Sequence, residues 1–95
     1  MVHITESRQA NKDLEKAPNQ IIRAYEIWAR LVEEHGVLIL RSFKGYHDEA
    51  LKGEWQGYRS SRLNLKWRVI YKATTTGSVQ VVSVERVTPH DYRRK

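Results

Sequence analysis

The sequence predicts an α+β domain of β-α-α-β-β-β order, with two N-terminal helices packed on one face of an antiparallel sheet. Two observations carry this reading. Apolar residues recur at helical spacing between Ala10 and Val32, whereas Tyr58–Asn64, Trp67–Lys72 and Val79–Val87 read as strands, the second with Trp67, Val69 and Tyr71 on one face and Arg68, Ile70 and Lys72 on the other. Between them lies a glycine-bearing connection, so helices and strands are segregated along the chain, as α+β packing requires.

Val2-His3-Ile4 is a short strand candidate, and Thr5 or Ser7 can cap the helix that follows by accepting from its free N–H groups. Ala10, Leu14 and Ala17 recur at i, i+4 and i+7, and Pro18 ends that helix. A second, stronger helix places Ile21, Tyr25, Trp28 and Val32 on one stripe, with Arg23, Glu26, Arg30 and Glu33 largely opposite and Gly36 as its C-cap. Val37-Leu38-Ile39-Leu40 is too short for periodicity to decide between strand and helical turn. From Arg41 to Gly57, three glycines, several charges and Trp55 read as a long irregular connection, a type that is usually functional or partly ordered by its own side chains. The three strands complete the chain as a meander, with the turn between the last two expected at Thr74-Thr75-Thr76-Gly77. The face opposite the helices must then be polar or covered by a partner.

Composition narrows the function. With 95 residues the chain makes one domain, 1–95, and the absence of cysteine excludes disulfide scaffolds, cysteine zinc sites and a cysteine nucleophile. That composition suits a reducing cytoplasm, and no apolar run approaches the roughly 18 residues of a membrane span, so no membrane partner is expected. The net charge of +6 is unevenly divided: residues 1–50 carry 7 basic and 8 acidic side chains, whereas residues 51–95 carry 10 basic and 3 acidic, a net +7. A polyanionic partner follows from that asymmetry as readily as a solubilising surface does.

Arg59, Arg62, Lys66 and Arg68 fall within ten residues that hold no acid, and Arg93-Arg94-Lys95 adds three more cations. Trp55, Tyr58 and Tyr92 lie beside these cations in sequence, either to stack on unpaired bases or, as is first expected of Trp55, to anchor the loop on the core. In Thr88-Pro89-His90-Asp91-Tyr92, Pro89 stops the last strand and presents His90 at its end, as a surface residue or as an acid or base near neutral pH. The four histidines show no ligand spacing, and no phosphate-loop, dinucleotide or nucleophile-elbow motif occurs. Neither metal nor cofactor is expected.

Three segments read together, Leu51-Lys52-Gly53-Glu54-Trp55-Gln56-Gly57-Tyr58-Arg59, Trp67-Arg68-Val69-Ile70-Tyr71-Lys72 and Val84-Glu85-Arg86-Val87-Thr88-Pro89-His90-Asp91-Tyr92, resemble the RelE/ParE superfamily of toxin–antitoxin toxins. The likeness is greatest to the YafQ-like branch of RelE-type messenger-RNA interferases. It implies a metal-independent endoribonuclease that cuts messenger RNA in the A site of the 70S ribosome, by attack of a ribose 2′-OH on the adjacent phosphate. It also implies a cognate antitoxin as partner. On that resemblance His90 is the general acid or base, Arg68 and Arg62 stabilise the phosphate, and Tyr92 stacks on or orients the substrate. Lys52, Arg59, Lys66, Arg86, Arg93 and Arg94 are the further RNA-binding candidates. Where YafQ-like members carry a histidine before their "L-x-G" element, this chain has Glu49, with His47 two residues earlier; either Glu49 is the remaining base, or His47 is, or the acid–base pair is incomplete. Two other functions share the features: a ParE-like, non-catalytic inhibitor of DNA gyrase, and a plain RNA-binding module. The His90, Arg68 and Arg62 set favours the nuclease, because neither alternative needs a histidine beside phosphate-binding arginines.

Overall fold

The structure, a computed structural model, describes residues 1–90; residues 91–95, and with them the candidates Tyr92, Arg93 and Arg94, lie outside the described residues. Strand β1 (Val2–Glu6) leads into helices α1 (Arg8–Lys16) and α2 (Asn19–His35). Strands β2 (Glu49–Ala50), β3 (Arg59–Arg62), β4 (Arg68–Thr76) and β5 (Val79–Thr88) follow, making one five-stranded sheet of order β1-β5-β4-β3-β2.

The helices form for the reasons their sequences give. Ser7 caps α1, its hydroxyl accepting from the Ala10 N–H at 3.0 Å, and the same hydroxyl donates to the Glu85 carbonyl at 2.9 Å, tying the helix start to β5. Ile21, Tyr25, Trp28 and Val32 of α2 are all buried against Val69, Tyr71, Val82, Val84 and Val87. Trp28 is the centre of this core, stacked on Tyr25 at 5.7 Å and edge-on to Tyr71 at 5.4 Å. Burying each such side chain contributes about 1.5–3 kcal/mol. Gly36, at φ 85°, closes α2 in a conformation that suits glycine.

The expected α+β architecture stands, and the details differ at four places. The sheet is mixed, because β1 pairs parallel with β5 from Val2↔Gln80 to Glu6↔Val84, at the far edge from the meander. Val37–Ser42 is a 3₁₀ helix that buries only Leu40. The turn between β4 and β5 begins three residues later than expected: the β-branched Thr74, Thr75 and Thr76 stay in the strand, and Gly77, at φ 60°, makes the reversal with Ser78. In the Arg41–Gly57 connection the chain makes two further 3₁₀ turns, Lys44–Tyr46 and Gly53–Trp55, on either side of β2. No helix among the described residues is long and apolar enough to cross a membrane.

Candidate functional site

Residues directly opposite one another in an antiparallel pair share a face, so the register sorts the sheet into two sides. Ser61↔Val69↔Val87 and Arg59↔Tyr71 belong to the side covered by the helices. Glu49↔Ser60↔Ile70 and Arg62↔Arg68↔Thr88 belong to the other side. Part of this second side is roofed by the 51–58 loop, where Leu51, Trp55 and Tyr58 pack with Ile70, and Trp55 meets Tyr58 edge-on at 5.1 Å. Trp55 is therefore an anchor of its loop. Lys72, on the same side as Ile70, sits over the Tyr58 ring at 5.7 Å.

Beyond that loop runs a row of three residues across three strands. Arg62 and Arg68 are directly paired, Thr88 is opposite Arg68, and the His90 N–H donates to Thr88 Oγ1 at 3.1 Å. Two like charges placed opposite each other in a sheet destabilise it. Arg68 is only 5% exposed and Arg62 is half-buried. Among the described residues, the buried Arg62 Nε and the buried Ser60 Oγ find no hydrogen-bond partner. Buried polar groups are rarely left so, and these two donors lie on the side of the sheet that no helix covers. His90 is exposed just past the end of β5.

Glu49 reaches this side through its pairing with Ser60, and His47 Nε2 lies 3.9 Å from Glu49 Oε2, both side chains partly exposed. The two alternatives for a base are thus one neighbouring pair. His47 takes a left-handed conformation, φ 44°, which turns the chain into β2. Asp48, between them, goes the other way. Its carboxylate, 1% exposed, accepts from Arg59 Nε at 2.7 Å, Ser61 Oγ at 2.6 Å and the Tyr71 hydroxyl at 2.6 Å. Burial raises the Tyr71 phenol well above its ordinary value and the bond to Asp48 raises it further. Burial opposes the Arg59 cation, and the Asp48 bond more than offsets it, leaving its pKa raised. Sequence reasoning missed Asp48. The signal was present in the parity of its partners, since Arg59 and Ser61 are two apart on one strand and so share a face.

The remaining candidates separate. Arg59 is committed to Asp48 on the helix side. Arg86 is drawn to α1: between Ile70↔Arg86 and Tyr71↔Val84 the register shifts, Glu85 is the extra residue, and Arg86 donates to Asp13 at 2.8 and 3.2 Å. The Val87 N–H also donates to Asp13 at 3.0 Å. Burial raises the Asp13 carboxyl, but Arg86 and Val87 together hold it below its usual range. Lys52 and Lys66 are exposed, Lys66 in the β3–β4 turn where Asn64 Oδ1 accepts from the Lys66 and Trp67 N–H groups. No cluster of three or more metal-ligating side chains occurs among the described residues.

No protein-family model and no curated protein matches the chain. Solved structures do. A YoeB/ParE toxin from Agrobacterium tumefaciens superposes with TM-score 0.75 at 20% identity, over 94% of this chain and 99% of that one. YafQ from E. coli superposes with TM-score 0.75 at 23% identity, over 93% and 92%. YafQ in the E. coli DinJ-YafQ toxin-antitoxin complex superposes with TM-score 0.66 at 27% identity, over 90% and 88%. The chain therefore has the RelE-type fold of these YoeB and YafQ toxins over nearly its whole described length.

Proposed function

We propose that this protein is the toxin of a toxin–antitoxin pair and that it acts as an endoribonuclease on messenger RNA in the ribosome. The observation that carries the reading is the Arg62–Arg68 pair on the open side of the sheet, continued through Thr88 to His90. Two arginines directly opposite each other in a sheet are unfavourable alone and favourable around a phosphate, whose oxygens accept from both forks. The fold shared with YoeB and YafQ toxins, one of them bound to its antitoxin, supports the assignment.

In the proposed reaction a base removes the ribose 2′ proton, the 2′ oxygen bonds to the neighbouring phosphorus, and the bond to the 5′ oxygen breaks. Arg68 and Arg62 meet the charge that builds on the non-bridging oxygens. One of His90 and the His47–Glu49 pair takes the 2′ proton, and the other returns a proton to the departing 5′ oxygen. The basic surface that includes Lys52 and Lys66 holds flanking phosphates, and Tyr92, Arg93 and Arg94 follow His90 in sequence after Asp91. An acidic, partly disordered antitoxin segment that folds on binding would suit the same cations.

The test is a coupled translation reaction with wild type, His90→Ala and Arg68→Ala, reading messenger RNA by primer extension. Wild type should cut. His90→Ala should lose roughly 10²–10⁴-fold in rate, as removal of one acid–base group does. Arg68→Ala should lose on the order of 10²–10³-fold. Intact messenger RNA with wild type, while growth still stops, would overturn the nuclease in favour of a gyrase inhibitor.

A further inference from the structure

Beside the arginine row, a second feature has no role in the reaction just described. The Lys44–Tyr46 turn and the end of β3 border an open depression of about 400 Å³, lined by Phe43, Lys44, Gly45, Tyr46, Arg62 and Leu63. Its size is that of a small-ligand pocket. Phe43 is 48% exposed and meets the half-buried Tyr46 edge-on at 6.2 Å and 86°. Burial raises the Tyr46 phenol, so the ring is neutral at physiological pH. Arg62 belongs to both places: it pairs with Arg68 in the row and walls the pocket, and its buried Nε has no acceptor among the described residues. On the far side of Phe43 and Lys44, a second cleft of about 330 Å³ adds Arg41 and His47.

We infer that this pocket receives one unpaired nucleobase of the RNA, stacked on Phe43, next to the phosphate held at Arg62. An aromatic face open to solvent between cations is the chemistry that binds single-stranded nucleic acid: rings stack on the base while the cations follow the backbone. Lys44 at the mouth, with Arg41 and His47 beyond, continues the positive path to the next phosphate. The pocket fixes which nucleotide lies at the arginine row and so sets sequence preference. The inference rests on the RNA-binding reading of that row, but not on cleavage.

Gly45 offers a clean probe. It does not adopt a positive φ, and a Cβ built on it meets no heavy atom within 4 Å, so a side chain there enters open space. The experiment is an NMR titration of the His90→Ala protein with the four nucleoside 5′-monophosphates and with ribose 5-phosphate. At least one nucleotide should bind about tenfold more tightly than ribose 5-phosphate, the size of one base–aromatic stack, and should shift the Phe43 and Tyr46 ring resonances. In the same background, Phe43→Ala and Gly45→Leu should each remove that excess and leave ribose 5-phosphate binding unchanged. Equal binding of nucleotides and ribose 5-phosphate, no binding of either, or an excess that survives both substitutions would overturn the pocket. A base excess in a protein whose wild type leaves messenger RNA intact would keep the pocket and remove the nuclease.

Discussion

The two sides of the sheet treat their arginines in opposite ways. The helix side supplies both acids: Arg59 is held by Asp48, and Arg86 of β5 is held by Asp13 of α1; each acid also accepts from a second group of the fold. On the open side Arg62 and Arg68 stand opposite each other, with polar atoms of Arg62 and Ser60 buried and unmatched among the described residues. Four cations of similar sequence context thus divide into two that are tied to acids of the fold and two that stand opposite each other on the open side. Composition alone counts all four as RNA-binding charge; only the register and the acids they meet tell them apart.

Substitutions can break that division. The largest effect is expected at Asp48: Asp48→Ala leaves Arg59 partly buried without its carboxylate and takes acceptors from Ser61 and Tyr71. It should cost about 3–5 kcal/mol, a fall in Tm on the order of 15 °C for a domain of this size, read by thermal unfolding. A loss below about 1 kcal/mol would mean that the helix side is no better tied than the open side.

Asp13→Asn should cost about 1–2 kcal/mol near neutral pH and should also change the acid limb of stability. Because the folded carboxyl lies below its ordinary value of 3.8, its contribution is present above that value and is lost as pH falls through the lower folded value. Urea midpoints of wild type should therefore fall faster below about pH 4 than those of Asp13→Asn. Parallel curves would remove Asp13 from the account.

Tyr71→Phe should cost about 1–2 kcal/mol through one lost bond to a carboxylate. The raised phenol contributes stability below its unfolded value and loses it as pH rises beyond about 10, so the variant should show the shallower alkaline decline. The smallest stability effect is expected on the open side. Arg62→Ala should change stability by no more than about 0.5 kcal/mol, yet lower the slope of log affinity for RNA against log salt by about one. A large destabilisation with an unchanged salt slope would place Arg62 among the structural arginines.

The helices were legible because their information is local. The Ile21, Tyr25, Trp28, Val32 stripe, the Ser7 cap and the Gly36 terminus each follow from residues within a turn or two, and all occur. The meander was legible for the same reason. The parallel pairing of β1 was not, since residues almost eighty positions apart leave no periodic trace of each other. In the site, alternation and the resemblance put Arg68 and His90 forward, and the register adds that Arg62 is the direct neighbour of Arg68. Asp48 escaped notice because its three partners come from two strands whose alignment the sequence does not fix. Phe43 and Tyr46 escaped because an irregular segment has no period from which to read a face.

The pairing of β1 with β5 also has a kinetic meaning. The β4–β5 hairpin closes through a two-residue turn, whereas β1 must return across nearly the whole chain, from Val2 to Gln80, before it gains a single ladder bond. Contacts of such separation are paid for in loop entropy first, which places the hairpin and its packing on Trp28 early in folding and the docking of β1 late. Substitutions in β4 or β5 should then slow folding, while an Ile4→Ala change in β1 should act mostly by speeding unfolding, with a φ-value near zero in stopped-flow chevrons. A protein built this way opens first at its β1 edge, leaving the arginine row on β3 and β4 assembled.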